Sequence, residues 1–336
     1  MKKGILLINL GSPDEPSPEA VGKYLRQFLM DPMVIDIPTP LRWLLVNGII
    51  SPFRKRRSAL AYQQVWRKEG SPLILNSRLL LEAMRAALGG EFHVALGMRY
   101  GKPSIEAALT ELKYAGVESI KVVPLYPQYA ASSTETAVLE VMRAADSLGV
   151  AKLISIFEPF FDRPEYIAVV AATVENEMRG FASNHLLFSF HGLPIKAVEK
   201  SCDVASSCLS GAGACPAVGP SNQRCYRAHS YATARAIAEK LGIARGSYSV
   251  GFQSRLTSRW IEPFTDTLLE EFAKRGVKRL LVACPSFVAD CLETLEEIQM
   301  RAREDFLKFG GEDLRLVPSL NDNADWVKAL AGMIKE

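Results

Sequence analysis

One histidine stands at the point where an apolar segment of the sequence ends. Residues 186–190 have the largely apolar pattern of a buried strand, His191 follows at once, and Gly192 and Pro194 terminate the strand. Ligands of open α/β sheets bind just beyond the carboxyl ends of the strands, which is where this imidazole is expected. Because histidine exchanges protons and binds divalent metals near neutral pH, His191 is a candidate base or metal ligand. A hydrogen-bonded packing histidine is the alternative.

Three carboxylates lie close together at the start of a predicted helix. Asp290, Glu293 and Glu297 are spaced i, i+3 and i+7, which places them on one face of an α-helix. Closely spaced carboxylates repel one another, which raises some of their pKa values. Such groups act as proton acceptors or as ligands for hard metal ions. The helix follows the predicted strand 279–284, so we expect these acids beside His191 across one sheet. An ordinary solvated acidic face is the alternative.

Aromatic and basic residues follow the strands of the first half of the chain. Arg99 and Tyr100 end the second predicted strand, and Tyr126 ends the third. An arginine and tyrosines suit a flat aromatic ligand that carries carboxylates, through stacking and charge-assisted hydrogen bonds. Trp260, in the second half, is a candidate for a further aromatic wall.

Strand and helix patterns alternate along the whole chain. The predicted strands are residues 4–10, 93–98, 119–125, 151–157, 186–190, 248–253, 279–284 and 314–318. The predicted helices are residues 105–115, 133–147, 165–178, 229–241, 263–275 and 290–309. This alternation predicts an α/β protein with parallel sheets wrapped by helices.

The second half of the sequence repeats the first. Three segments, 5–13, 116–123 and 127–136, are matched in the same order by 186–194, 276–283 and 285–294. Three ordered matches favour duplication over chance similarity of short apolar strands. We therefore expect two similar lobes, each a four-stranded parallel sheet flanked by helices, with a cleft between them. The lobes are predicted at 1–175 and 176–336, with the last helix packing back on the first lobe.

An apolar segment bracketed by prolines, residues 38–52, is followed by four basic residues at 54–57. The segment is too short to span a bilayer. An apolar patch beside basic residues suits an interfacial anchor on anionic lipid. A buried helix followed by a solvated basic turn is the alternative.

Composition excludes several classes of function. The net charge of +3 over 336 residues, without a long basic run, gives nucleic-acid binding no support. The Gly11-Ser-Pro turn lacks the glycine pattern and the lysine of nucleotide-binding loops. The N-terminus lacks a secretion signal, so we expect a cytoplasmic protein whose six cysteines are reduced unless they bind metal.

Four of the cysteines are grouped in one segment. The segment contains Cys202, Cys208, Cys215 and Cys225. The residues between them are rich in Ser, Ala, Gly and Pro, and such a segment has little means of folding without a cross-link or a bound metal. Reduced cysteines in a short cytoplasmic loop favour tetrathiolate binding of zinc or of an iron–sulfur cluster. Two disulfides are the alternative.

Taken together, these segments resemble ferrochelatase, the enzyme family that inserts ferrous iron into a porphyrin. The resemblance runs along essentially the whole chain. It implies two Rossmann-like lobes around a porphyrin cleft, and insertion of Fe²⁺ into protoporphyrin IX with release of two protons, the last step of haem biosynthesis. The motifs that carry it are residues 9–13, 51–57, 99–100, 126–129, 189–194, 252–255 with Trp260, and 290–297.

The resemblance also implies roles for individual residues. His191 is the expected pyrrole proton acceptor, a metal ligand, or both in turn, with Glu293 as its acidic partner and second metal ligand. Asp290 and Glu297 continue an acidic path for protons or iron. The expected porphyrin-binding residues are Leu10, Arg99, Tyr100, Tyr126 and Trp260.

Three further expectations come from the family. The 38–52 segment resembles the lip through which porphyrin enters from the inner membrane, which implies peripheral membrane contact. Some bacterial ferrochelatases carry a [2Fe–2S] cluster on an internal segment like this one, so the four grouped cysteines are its expected ligands, with zinc as the alternative. Cys291 stands where many relatives have a second histidine, which weakens any scheme that needs two imidazoles.

Two competing functions remain open from the sequence. One is a chelatase for another tetrapyrrole or metal, such as a cobalt chelatase, although those relatives generally have the second histidine and a shorter chain. The other is a haem or iron carrier with a redox-sensing cluster.

Overall fold

Two four-stranded parallel sheets organise the protein. The computed structural model describes residues 2–202, 208 and 215–336. The first sheet contains β1 (Lys3–Asn9), β2 (Phe92–Met98), β3 (Ser119–Pro124) and β4 (Ile154–Ile156), in the order β2-β1-β3-β4. The second contains β5 (His185–His191), β6 (Tyr248–Gln253), β7 (Arg279–Ala283) and β8 (Asp313–Leu316), in the order β6-β5-β7-β8. The same strand order in both sheets confirms the prediction of two similar four-stranded α/β lobes.

Helices connect the strands and cover the sheets. They are α1 (Pro18–Leu29), α2 (Thr39–Leu44), α3 (Ser51–Val65), α4 (Pro72–Leu88), α5 (Ile105–Tyr114), α6 (Thr136–Leu148), α7 (Pro164–Gly180), α8 (Ile195–Glu199), α9 (Tyr226–Lys240), α10 (Thr265–Lys274), α11 (Arg303–Lys308) and α12 (Ala324–Lys335). Stretches with π-helical hydrogen bonding cover Leu45–Ile50, Ala131–Glu135 and Glu293–Ala302, and Ala151–Leu153 forms a 3₁₀ turn. Local signals start several helices: the Ser104 hydroxyl, for example, accepts the Ala107 N–H at the start of α5.

The chain divides into two units. The first contains Met1–Tyr126, Ala131–Glu158 and Asn321–Glu336, and the second contains Pro127–Ala130 and Pro159–Leu320. The division falls near residue 158 instead of the predicted 175 because α7 packs against α9, within the second unit. The last helix, α12, packs against α4 of the first unit.

Burial on both faces of the sheets explains the apolar runs from which the strands were predicted. Residues 5–8 of β1 are each at most 2% exposed, because helices cover both faces of a parallel sheet. In the second unit, Leu280 and Val282 of β7 pack with Phe272 of α10 and Phe306 of α11. Full burial of a side chain such as Phe306 contributes about 1.5–3 kcal/mol.

Two predicted elements differ from the structure. The helix predicted at 290–309 begins at Glu293, and Asp290 lies in the turn before it. This turn is held by Asp290 Oδ1, which accepts hydrogen bonds from the Thr294 hydroxyl and the Ser319 backbone N–H. The strand predicted at 151–157 is a 3₁₀ turn followed by the three-residue β4.

Candidate active site

His191 is the last residue of β5, at the carboxyl end of the second sheet. Its backbone pairs with Gln253 of β6, and its half-buried imidazole places Nδ1 2.6 Å from the Gly192 carbonyl oxygen. Because a carbonyl oxygen can only accept, Nδ1 carries the hydrogen and donates it. Within the described part of the chain, Nε2 has no hydrogen-bond partner. This tautomer leaves Nε2 able to accept a proton or bind a metal ion.

Aromatic rings flank the imidazole. The ring centroids of Trp260 and Phe287 lie 6.2 and 6.3 Å from that of His191. Gly192 permits the approach of Trp260, since a Cβ at this position would lie 3.1 Å from Trp260 Cε3 and 2.7 Å from the Gln253 carbonyl oxygen. Trp260 therefore lies beside His191 in the structure.

Glu293 and Glu297 lie on the Glu293–Ala302 π-helix. The Glu297 carboxylate accepts hydrogen bonds from the Ser254 backbone N–H at 2.8 Å and from the Ser254 hydroxyl at 2.5 Å. Ser254 has a φ of +64°, a left-handed conformation that is uncommon outside glycine. Two bonds from one residue to the same carboxylate hold this backbone conformation and fix the position of Glu297.

Cys291 contacts Glu293, the other carboxylate on this π-helix. Burial raises the pKa of the Cys291 thiol well above its usual value, and the charge of Glu293, which accepts a hydrogen bond from the thiol, adds to this effect. A protonated thiol is a hydrogen-bond donor and not a thiolate ligand. Cys291 thus supports the Glu293 carboxylate through this hydrogen bond.

Gln253 links the two segments that carry His191 and Glu293. Its carbonyl oxygen accepts the Gly192 N–H at 2.7 Å, and its side-chain Nε2 donates to the Glu293 carbonyl oxygen at 2.9 Å. Gln253 therefore connects the backbone next to His191 with the backbone of Glu293 within the second unit. Gln253 belongs to the motif 252–255, but the sequence alone gives it no individual role in the site.

A buried carboxylate organises the predicted site residues of the first unit. Asp31 Oδ2 accepts hydrogen bonds from Arg99 Nη2 at 2.5 Å, the Tyr100 hydroxyl at 2.8 Å and the Thr136 hydroxyl at 2.5 Å. Its other oxygen accepts the Met33 N–H at 2.8 Å. Sequence reasoning missed Asp31; the available signal was that it is one of two aspartates inside the otherwise apolar stretch 28–37.

The partners of Asp31 outweigh the effect of its burial. Burial alone would raise the pKa of Asp31, but hydrogen bonds from Thr136, Met33 and Tyr100 and the charge of Arg99 hold it below its usual value. Burial raises the pKa of Tyr100, so its hydroxyl stays protonated and donates to Asp31. The Arg99 side chain is 17% exposed, so part of it can contact a ligand.

Two further predicted porphyrin contacts lie at strand ends of the first unit. Leu10 follows β1 and is half-buried. Tyr126 follows β3, and its buried hydroxyl has no hydrogen-bond partner among the described residues. Burial and the nearby Tyr100 raise the pKa of Tyr126, so the hydroxyl is neutral. An unpaired buried hydroxyl costs about 1–3 kcal/mol.

The 38–57 region exposes a group of large apolar side chains. Each of these side chains is more than half exposed, which contradicts the buried-helix alternative for this region. They are Leu41, Trp43, Leu44, Ile49 and Phe53, and the exposed Leu60 extends the group along α3. Arg54, Arg56 and Arg57 are exposed on the adjoining α3. We call this surface the apolar lip. Across the described residues, no helix combines the length and the apolar character needed to cross a bilayer.

All four grouped cysteines are described, and they are free thiols. Cys202, Cys215 and Cys225 are buried, and Cys208 is half-buried; residues 203–207 and 209–214 of the predicted insert lie outside the described residues. Burial, together with a hydrogen bond and charge interaction with Cys202, raises the pKa of Cys225 to about 12. Arg227 Nη1 donates to Cys215 Sγ at 3.1 Å.

The described residues contain no group of three or more His, Cys, Asp or Glu side chains arranged to hold a metal ion. Among the grouped cysteines, Cys225 forms a hydrogen bond with Cys202, and Cys215 interacts through charge with Cys202 and Cys208.

Comparison with known proteins identifies the family. The sequence profile of ferrochelatase matches residues 2–336. A ferrochelatase from Coxiella burnetii is 48% identical over 337 residues, covering 100% of this chain and 94% of that protein. A ferrochelatase from Stutzerimonas stutzeri is also 48% identical, covering 98% of this chain and 96% of that protein. A ferrochelatase from Legionella pneumophila is 42% identical, covering 100% of this chain and 99% of that protein.

A solved structure shares the fold. The sirohydrochlorin chelatase SirB of Bacillus subtilis subspecies spizizenii, in complex with cobalt, aligns with a TM-score of 0.55 at 14% identity, covering 100% of this chain and 95% of that one. This likeness concerns the two-sheet architecture alone. The sequence identity with the three ferrochelatases, over nearly the full length of each chain, shows that this chain belongs to the ferrochelatase family.

Proposed function

We propose that this enzyme inserts Fe²⁺ into protoporphyrin IX, forming protohaem and releasing two protons. The observation that carries the proposal is the tautomer of His191, whose Nδ1–H donates to the Gly192 carbonyl and whose Nε2 is open at a strand end beside Trp260. Membership of the ferrochelatase family over the full chain supports the same reaction.

The reaction needs a base and a group that removes water from the metal ion. A free porphyrin carries two pyrrole N–H protons, and both must leave as Fe²⁺ forms bonds to the four nitrogens. His191 Nε2 accepts a pyrrole proton, and the Glu293 carboxylate is the second group that binds the incoming iron or takes the proton onward. Glu297, one turn along the π-helix, continues this path.

The first unit supplies porphyrin contacts of a different kind. The accessible part of Arg99 is a charge-assisted donor for a carboxylate of the macrocycle. The half-buried Tyr126 ring and Leu10 offer apolar contact. Tyr100 acts indirectly, because its ring is 1% exposed and its hydroxyl is bonded to Asp31.

The identity of the porphyrin is tested by competition. We expect that an anaerobic assay with equal amounts of protoporphyrin and coproporphyrin, and with ferrous iron, cobalt and zinc offered in turn, will show preferential insertion of iron into protoporphyrin. The apolar lip favours the less carboxylated substrate. Preference for coproporphyrin would contradict the proposed substrate, and preference for cobalt would support the rival cobalt chelatase.

We also propose that the apolar lip contacts the inner membrane at its cytoplasmic face. Exposed apolar side chains next to basic ones match an interfacial anchor on anionic lipid. Each basic residue near such a surface contributes about 1 kcal/mol, so we expect Arg56→Glu with Arg57→Glu to weaken binding to phosphatidylserine vesicles by tenfold or more.

Sedimentation with vesicles measures this effect. The matched control reverses two exposed basic residues on another surface, Lys240→Glu with Arg245→Glu, and it should bind vesicles nearly as well as the wild type. Equal binding by the lip variant and the control variant would count against membrane contact through the lip.

Finally, we propose that Cys202, Cys208, Cys215 and Cys225 hold a [2Fe–2S] cluster, with zinc as the alternative. The support is chemical: the four thiols are free, as cluster ligands must be, and the Arg227 guanidinium at Cys215 would offset negative charge on the sulfur ligands. Raised thiol pKa values mean that binding of the group must release protons. When bound, such a cluster supplies one-electron redox chemistry.

We therefore expect an anaerobic preparation to be brown, with visible charge-transfer absorption and two bound iron atoms for each protein chain. Cys215→Ser should lose the colour, while Cys284→Ser, a change of a cysteine outside the group, should keep it. A colourless wild-type protein that contains one zinc ion for each chain would refute the cluster and support the zinc alternative.

A further inference from the structure

Gln253 is an almost fully buried amide at the centre of the second unit. Its exposed fraction is 2%, and it ends β6, in register with His191 of β5. A buried amide that leaves its donors or acceptor unpaired is costly, so the partners of this side chain show what it is held for.

The orientation of the amide follows from its partners. Nε2 lies 2.9 Å from the Glu293 carbonyl oxygen, an atom that can only accept, and 3.4 Å from Glu297 Oε2. Oε1 accepts from the Ser189 hydroxyl at 2.8 Å and from the Cys284 thiol at 3.6 Å. Both ends of the amide are therefore used, the donor end toward the π-helix and the acceptor end toward the strands.

The backbone of the same residue holds the strand end that carries the imidazole. The Gln253 carbonyl oxygen accepts the Gly192 N–H, and the Gly192 carbonyl oxygen accepts the His191 Nδ1–H. A chain of three hydrogen bonds thus connects the imidazole of His191 to the first residue of the π-helix. None of these three hydrogen bonds depends on a flexible surface side chain.

We propose that Gln253 is a positioning residue for metal insertion. Its amide fixes the start of the π-helix, and with it the carboxylates of Glu293 and Glu297, relative to the imidazole of His191. This inference rests on the proposed function, because it assumes that these three groups act on porphyrin and iron. Gln253 itself is covered by protein and acts through its neighbours.

The test compares two variants of the same hydrogen-bond network. Gln253→Met keeps the length of the side chain and removes both donor bonds to the π-helix. Ser189→Ala is the matched control, because it removes a buried hydrogen bond to Oε1 and leaves the donor bonds of Nε2 in place. Both variants lose a buried polar contact, so a role in stability alone would affect them alike.

For Gln253→Met we expect kcat for haem formation to fall by about tenfold to a hundredfold, the size of loss that misplaced catalytic groups produce. The dissociation constant for protoporphyrin, measured by fluorescence quenching, should not change, and Ser189→Ala should keep the wild-type kcat. If Gln253→Met does not fold, as judged by circular dichroism, Gln253→Asn replaces it, because it keeps an amide but withdraws it by one methylene.

Wild-type kcat in the Gln253 variant would overturn the proposal, and so would equal losses of kcat in the Gln253 and Ser189 variants. Either result would leave the proposed function intact as long as the wild-type enzyme forms haem. Failure of the wild-type enzyme to form haem would instead refute the proposed function.

Discussion

His191→Ala is expected to lower kcat for iron insertion by about 10²- to 10⁴-fold, the usual contribution of a general base. The substitution removes Nε2, which has no hydrogen-bond partner in the described part of the chain and can accept a pyrrole proton. Porphyrin binding and folding should be largely retained, because the imidazole contributes one hydrogen bond to its neighbour Gly192. Haem formation measured by absorbance, beside protoporphyrin binding measured by fluorescence, gives both quantities.

The surroundings of the other three histidines explain why only His191 is assigned the role of base. His229 uses both ring nitrogens, with the Tyr129 N–H and the Gln223 carbonyl, and burial lowers its pKa to about 4. Burial also lowers the pKa of His185, which bonds to Ser249. His93 pairs with Glu111 at 2.8 Å on the surface of the first unit.

His93→Ala is therefore the matched control for His191→Ala. We expect it to insert iron at the wild-type rate, because its imidazole lies in a surface ion pair. Near-normal turnover in the His191 variant would disprove the role given to His191, whatever the control does.

Asp31→Asn is expected to lower the free energy of unfolding by about 3–5 kcal/mol at pH 7, the cost of breaking a buried ion pair. The Asp31 side chain is 3% exposed, and its charge is matched by Arg99. The amide has one acceptor atom in place of two, so the hydroxyls of Tyr100 and Thr136 and the Met33 N–H cannot all keep their bonds. Denaturant unfolding followed by circular dichroism measures the loss.

The pH dependence of this loss has a defined sign. Because the pKa of Asp31 is lower in the folded protein than in the unfolded chain, its stabilisation is complete above the unfolded value of about 3.9. It disappears as the pH falls through the folded pKa. The difference in stability between wild type and variant should therefore narrow in acid.

The control makes the same carboxylate-to-amide change in an exposed pair. Glu106 lies 3.3 Å from Arg143, with both side chains more than half exposed. Glu106→Gln should cost less than about 1 kcal/mol. An equally small loss for Asp31→Asn, or a loss that does not change with pH, would contradict the account of Asp31.

The sheets could be predicted from the sequence because their signal is local. Continuous apolar runs such as residues 5–8 arise from burial on both faces of a parallel sheet, and the order of the matching segments predicted the duplication. The start of the helix at Glu293 could not be predicted in this way. The i→i+5 bonding of a π-helix leaves no distinct period in a short sequence, and Asp290 bonds outside the helix to Ser319.

The supporting residues of the site were missed for a related reason. Asp31 meets Arg99 and Thr136 across separations of 68 and 105 residues, and Gln253 meets Glu293 across 40. Such contacts exist only after the strands have aligned, so no spacing in the sequence reveals them. His191 was found because its position at a strand end is itself a local feature.

The most direct test of the account counts the haem that each enzyme molecule produces. Purified wild-type protein is incubated anaerobically with an excess of protoporphyrin and ferrous iron, and haem is measured over time. The account predicts a linear time course that reaches many haem molecules for each protein chain. A time course that stops at one haem or fewer for each chain would contradict it and would identify the protein as a carrier.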